Sequence, residues 1–247
     1  MRRVTARGLS LAAVALIWAA GCTDAPTPPA LAPAPSPPCA NHERAVSDES
    51  LRSEDRLTGD VDADGSDDEI ALAFDTAAGE GCQVFLIVQT SAGTFGTSIA
   101  QPGMSVLRRA GIPRLARAAE IDNRAGAEVV VDLIAGASTV HAAIFSMGSG
   151  ALERLRIEGD APETDDLFPY GGSVGHIEAS DCAGVGRIIV SVAVPRGRNS
   201  YLVTRRFYKT EGSSLEPAEE EQHGVAARQL NRFPEYETSP FGSCPLN

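Results

Sequence analysis

The stretch that most constrains this chain is residues 59–74, GDVDADGSDDEIALAF, because residue type and spacing together call for one local chemistry. Carboxylates stand at Asp60, Asp62, Asp64 and Asp68, with Gly65 between the third and the fourth. Counted from Asp60, these are positions 1, 3, 5 and 9 of a loop with glycine at 6. Alternate side chains of such a loop aim at one centre, and the carbonyl of Ser66 at position 7 adds a further oxygen. A hard cation such as Ca²⁺ takes about six to eight oxygens at ~2.3–2.6 Å. Without one, each close pair of aspartates repels by up to about 4 kcal/mol at ~4 Å and an effective dielectric near ~20. An EF-hand does not fit, since its position 12 would be Ala71 in place of glutamate and no helix pattern flanks the loop.

The acidic loop leads straight into strand signals, and the pattern recurs. Residues 69–74 (EIALAF) and 82–90 (CQVFLIVQT) are short apolar runs separated by the turn-forming residues 77–81, and residues 94–98 close the unit. A second unit begins at Glu120 and continues into VVVDLIAG (129–136) and TVHAAIFSM (139–147). A third contains residues 176–182, then RIIVSVAV (187–194) and NSYLVTRRFYKT (199–210). Asp60 to Glu120 is 60 residues and Glu120 to Glu178 is 58, a period that points to stacked or radially arranged β units. The expected fold is all-β: propeller-like or incomplete-propeller antiparallel sheets from about three repeats, near 57–115, 116–172 and 173–215. An irregular C-terminal tail follows, in which 215–222 and 225–233 read as helical turns. In the second unit Glu120, Asp122 and Glu128 hold positions 1, 3 and 9 while Arg124 replaces the third aspartate. That exchange predicts an internal positive charge in place of an ion. The third unit keeps Glu178 and Asp181 beside Cys182, where a disulfide is expected to do the same work.

Asp60, Asp62, Asp64, Gly65 and Asp68 followed by residues 69–72 (EIAL), with Phe95-Gly96 as a weaker echo, resemble the FG-GAP or VCBS-type repeats of integrin-like β-propellers and bacterial surface proteins. The resemblance covers residues 57–210, most fully in the first unit. It implies Ca²⁺ held between two strands of a blade by Asp60, Asp62, Asp64, Ser66 and Asp68. It also implies a role in adhesion or ligand presentation without catalysis. Closed propellers use about four to eight blades; three units are visible here, so either a fourth is built from residues 39–58 or from the tail after Leu215, or the assembly is incomplete.

The amino terminus reads as an export signal over residues 1–21: Arg2, Arg3 and Arg7, then an apolar run from Leu9 to Ala20 that is short for a membrane span. Its end, Ala19-Ala20-Gly21-Cys22, resembles the lipobox of bacterial lipoproteins, which implies acylation of Cys22. Residues 22–38 then form a tether, with seven prolines between 26 and 38, extended over about 40 Å. The β-repeat domain is expected over residues 39–247. This layout places the protein on the outer face of the bacterial cell membrane, anchored by lipid, with an envelope protein or a glycan as partner. The formal charge of −12 becomes −15 once the leader's three arginines are gone, which disfavours nucleic acid.

If Cys22 carries lipid, Cys39, Cys82, Cys182 and Cys244 remain, and in an exported chain they admit two disulfides in three pairings. Cys39–Cys82 with Cys182–Cys244 is favoured, because it keeps each bridge within one half of the domain and clips both chain ends. One motif suggests catalysis: residues 171–175, GGSVG, fit the G-x-S-x-G of a nucleophile elbow. That elbow needs a strand before it and a helix after it, and neither DDLFPY before nor HIE after suits. The histidines at 42, 141, 176 and 223 lack metal-ligand spacing. The sequence therefore favours a calcium-stabilised binding or scaffold module without catalytic activity; the alternative is an exported hydrolase with a pocket near Ser173 and His176.

Overall fold

The computed structural model describes residues 39–79, 81–99, 111–158, 166–173, 175–237 and 240–246. The leader, the expected lipid site Cys22 and the proline-rich arm lie outside the described residues.

From Cys39 the chain forms a short helix α1 (His42–Ser47) and a 3-10 turn (Glu49–Leu51). A four-stranded antiparallel meander follows: β1 (Arg52–Gly59), β2 (Asp68–Phe74), β3 (Val84–Thr90) and β4 (Gly93–Ser98). The second unit repeats that order with β5 (Arg114–Ala119), β6 (Glu128–Ala135), β7 (Thr139–Gly148) and β8 (Ala151–Arg154). After the two-residue β9 (Arg156–Ile157) come β10 (Phe168–Ser173), β11 (His176–Cys182), β12 (Arg187–Pro195), β13 (Ser200–Glu211) and β14 (Ser214–Ala226). Because β10 pairs with both β7 and β11, the second and third units share one ten-stranded sheet. Its far edge is the parallel pair β14–β9. The protein is all-β, and neither sheet closes into a barrel.

The three units lie face to face. From β6, Val129, Val131 and Leu133 pack with Ile70, Leu72, Leu86 and Val88 of the first unit. Val130 and, from β7, Ile144 turn the other way, to Phe168, Ile188 and Val190. A strand buried on both faces cannot alternate apolar with polar, which is why 129–134 reads as a nearly continuous apolar run. Each valine or leucine so buried contributes about 1.5–3 kcal/mol. The outer faces are covered by the chain ends. Ala45 and Val46 of α1 pack on Ala73, Phe85 and Ile87, while Phe233 and Tyr236, from the 3-10 segments after β14, pack on Ala193 and Val203.

Cys39 is bonded to Cys82 and Cys182 to Cys244, the pairing favoured from the sequence. Three expectations change. The third unit runs to Ala226, and its acidic segment 215–222 is strand, because cross-strand ion pairs Arg205–Glu221 (2.9 Å) and Arg206–Glu220 (3.0 Å) fix it to β13 in register. Glu178 stands in the middle of β11, opposite Val192, and does not open a loop. The connection there is the four-residue turn 183–186, with Gly184 and Gly186 at positive φ, which is too short for a cation loop. Residues 39–58 make no fourth unit either, since they supply α1, the 3-10 turn and β1.

Candidate metal centre

The first loop is built from carboxylates that bond its own backbone. Asp68 opens β2 and is 2% exposed; its Oδ2 accepts the N–H groups of Val61 (2.7 Å) and Asp62 (3.3 Å), tying the start of the loop to its end. Asp60 accepts from the N–H groups of Asp64 (3.0 Å) and Gly65 (2.9 Å), and Asp62 from that of Asp64 (3.2 Å). Ala63 and Gly65 both have positive φ, which turns the chain back on itself. As a result, ligand oxygens of Asp60, Asp62 and Asp68 come within 4.8 Å of one another. Asp64 is turned aside: its carboxylate accepts from Ser66 N–H (2.8 Å) and from the hydroxyl of Ser91 in the β3–β4 turn. Those bonds hold the Asp64 carboxyl below the usual range. Burial pushes Asp68 up, and the charges of Asp62 and Asp64 push it further. Ser66 is exposed beside Gly65.

The second loop repeats this geometry with one substitution. Glu128 opens β6, is 1% exposed, and accepts the N–H groups of Ile121 (2.6 Å) and Asp122 (2.8 Å), as Asp68 does in the first loop. Arg124 lies across the loop on Asp122, with Nη2 2.6 Å from the carboxylate, and also donates to Ser146 Oγ at 2.6 Å. Ser146 in turn reaches Asp122 (3.2 Å) and Glu128 (3.3 Å). The guanidinium thus takes the place at which a cation would neutralise the acids. Even so, burial and then the neighbouring Asp122 push the Glu128 carboxyl up to about 7. Glu120 is exposed and stands apart from the buried cluster; its backbone N–H donates to Pro245. Spacing within the loops could not reveal Ser146, because strand register brings it there: Val129 pairs with Phe145, so Ser146 lies opposite Glu128. By the same rule, Glu69 pairs with Gln89, and Thr90 holds the corresponding place beside Asp68.

The three loops are joined to one another. Ala127 N–H donates to Asp60 O at 2.7 Å, and a Cβ added at Gly126 would meet Val61 O at 2.5 Å. Asn123 N–H donates to Thr210 Oγ1 (3.4 Å), whose hydroxyl donates to Gly186 O of the third turn at 3.2 Å. There Asp181 is buried and accepts from Cys182 and Ser243, so that it and the Cys182–Cys244 bridge hold the tail against the end of β11.

Ser173 and His176 face each other across the tight turn of the β10–β11 hairpin. The serine hydroxyl accepts from Gly175 N–H (3.4 Å), while His176 Nε2 lies 2.9 Å from Glu178. The segment is strand, turn, strand, and lacks the helix that an elbow needs after its serine. Of the other histidines, His42 bonds Gly96 O (3.0 Å), His223 bonds Glu221 (3.1 Å), and His141 pairs with Pro169 in the β7–β10 ladder. Compared with family models, curated proteins and solved structures, the chain finds no match in any of the three. The likeness to FG-GAP and VCBS repeats therefore rests on the loop residues alone.

Proposed function

We propose that this protein is a calcium-stabilised β-repeat binding module, an open and incomplete propeller of three blades, held on the outer face of the bacterial cell membrane by a lipid at Cys22. The observation that carries this reading is the pair of matching loops. Asp68 and Glu128 clamp the same two backbone N–H groups of their loops. One loop sets an arginine among its acids, and the other brings three carboxylates together. A cation on Asp60, Asp62 and Asp68 would do for the first loop what Arg124 does for the second, with the carbonyl of Ser66 and water completing the oxygens that calcium requires. Its part is structural, since it sits between strands and meets no nucleophile. Blade-like stacking is supported by face-to-face packing of successive meanders whose entry loops touch. Catalysis at Ser173 has no matching support.

Thermal melting tests the metal. A site with Kd of about 10⁻⁴–10⁻³ M, in 10 mM calcium, should raise the melting temperature by about 3–10 °C over chelator. Asp62→Asn should abolish the shift; equal melting of the wild type in calcium and in chelator would overturn the assignment. For the anchor, Cys22→Ala should release the protein from the membrane fraction, and continued retention would count against acylation.

A further inference from the structure

A cleft of about 890 Å³ opens between β5–β6 and β10–β11, walled on one side by the turn Pro234–Tyr236. Strand β5 is the last of its sheet and pairs with β6 alone. Arg114, Leu115, Ala116 and Arg117 all line the cleft, although Leu115 packs toward the first unit and Ala116 toward the third. Side chains on opposite faces of a strand border one cavity only where the backbone edge itself borders it. That edge is open. Among the described residues, the backbone of 114–118 bonds nothing outside the β5–β6 ladder, and Leu115, Ala116, Arg117 and Ala118 are each partly exposed. On the edge strand β4, by contrast, His42 takes the carbonyl of Gly96. An unpaired row of N–H and C=O groups is a template for another strand, so its side chains must restrict what pairs with it.

Charge makes that restriction. The β5–β6 ladder slips between Leu115 and Arg117, and the bulge sets Arg114 opposite Asp132 and Arg117 opposite Val130. Asp132 and Val130 lie two apart on β6 and share a face, so the two arginines, three apart in sequence, share it as well. Arg114 is held by the buried Asp132, with Nε 2.7 Å from the carboxylate. Arg117 has no ion pair or hydrogen bond among the described residues, and of its guanidinium nitrogens only Nε is buried. On the far wall the carboxylates are engaged, Glu178 by His176 (2.9 Å) and Glu235 by Arg205 (2.9 Å). The uncompensated charge beside the open edge is therefore positive. An added strand sets one side chain directly opposite Arg117, where a carboxylate is favoured, while its backbone pairs with that of β5. Tyr170 and Tyr236 line the cleft as ring surface for its apolar residues. We infer that the β5 edge binds an extended peptide segment of a partner protein as an added strand, with an acidic residue of that segment paired to Arg117. The inference rests on the binding-module reading and names its ligand class.

A displayed library of random octapeptides, selected on the purified protein and followed by calorimetry with capped synthetic copies, tests it. The selected peptides should carry an acidic residue among alternating apolar ones and bind with a Kd of about 1–100 μM. N-methylation of alternate amides blocks one edge of a strand. Methylating one alternate set should weaken binding about tenfold or more, and methylating the other should leave it within about twofold. Replacing the acid by its amide should weaken binding to wild type about threefold or more and leave binding to Arg117→Gln unchanged. Arg117→Gln breaks no ion pair and should melt within about 2 °C of wild type, which keeps the test decisive. Failure to recover a peptide, recovery of basic ones, equal effects of the two methylation patterns, or an acid-to-amide loss that persists in Arg117→Gln overturns the inference. A dimer in sedimentation that Arg117→Gln dissolves would give the edge to a second copy and overturn it as well. The calcium melting shift is read on the same samples. A calcium-responsive protein that selects no peptide loses the added strand and keeps the metal; a peptide-binding protein without the shift loses the metal and keeps the strand.

Discussion

Glu128 is a buried carboxyl whose protonation is tied to folding. Its folded value of about 7 stands above the ordinary 4.5, so folding favours the protonated form. The stability this contributes is complete below pH ~4.5 and is lost as pH rises through ~7, on the order of 3 kcal/mol in all. Urea unfolding at pH 5 and pH 8 should show the loss in wild type and a smaller one in Glu128→Gln. The amide in that variant can still accept from Ile121 and Asp122 while donating to Ser146. Arg124 is the complementary case. Removing it as Arg124→Ala leaves Asp122 buried without its counter-charge, and should cost about 3–5 kcal/mol. Arg124→Asp restores the acidic pattern of the first loop, so part of its loss should return on adding calcium; a loss untouched by calcium would show that the two loops are not interchangeable.

The entry loops and the tail are the elements that hold the strands in order. Gly126 has φ +104 and touches the Val61 carbonyl, so Gly126→Ala introduces both backbone strain and a collision between the first two loops. A destabilisation of about 2–4 kcal/mol is expected by denaturant titration, against near neutrality for Gly79→Ser, whose backbone is outside the positive-φ region and whose Cβ would meet nothing within 4 Å. The Cys182–Cys244 bridge spans 62 residues and restrains the unfolded chain by about 4 kcal/mol. Reduction or Cys244→Ser should lower the melting temperature and free the tail first, which limited proteolysis near Phe241 would detect. The strand β14 has glutamates along its outer length at 216, 219, 220 and 221, beyond the two residues covered by β9. Charges on an exposed edge discourage pairing with a second chain.

For the whole molecule, the layered order sets which parts open last. Strands β6 and β7 are packed on both faces, whereas β1 and β14 are sheet edges and the β13–β14 turn is exposed. Hydrogen exchange should therefore be slowest at Val129–Leu133 and Ala142–Phe145 and fastest beyond Thr210, with local opening free energies graded between them. Uniform protection across the three units would contradict a core centred on the second.

The all-β class, strands β2 to β4, β6 and β7 of the first two units, the arginine substitution and the cysteine pairing were legible in the amino-acid sequence, whereas β1, β5 and β8, which carry no apolar run, were not. Each legible feature is a local pattern: alternation and apolar runs, residue identity at fixed loop spacing, or cysteine arithmetic. In the third unit the strands at 187–194 and 199–210 were legible too, but Glu178 was misread as a loop acid, because a carboxylate in mid-strand and one in a loop look alike until register is known. The acidic tail was misread because Glu220 and Glu221 become strand only by facing Arg206 and Arg205 across a hairpin. Ser146, Ser91 and the Asp132 cleft depend on contacts between residues 18 to 38 positions apart, which no local spacing records. The sequence determined which segments could be strands and where acids crowd; three-dimensional packing decided which acids meet, because burial and register are properties of neighbours distant along the chain.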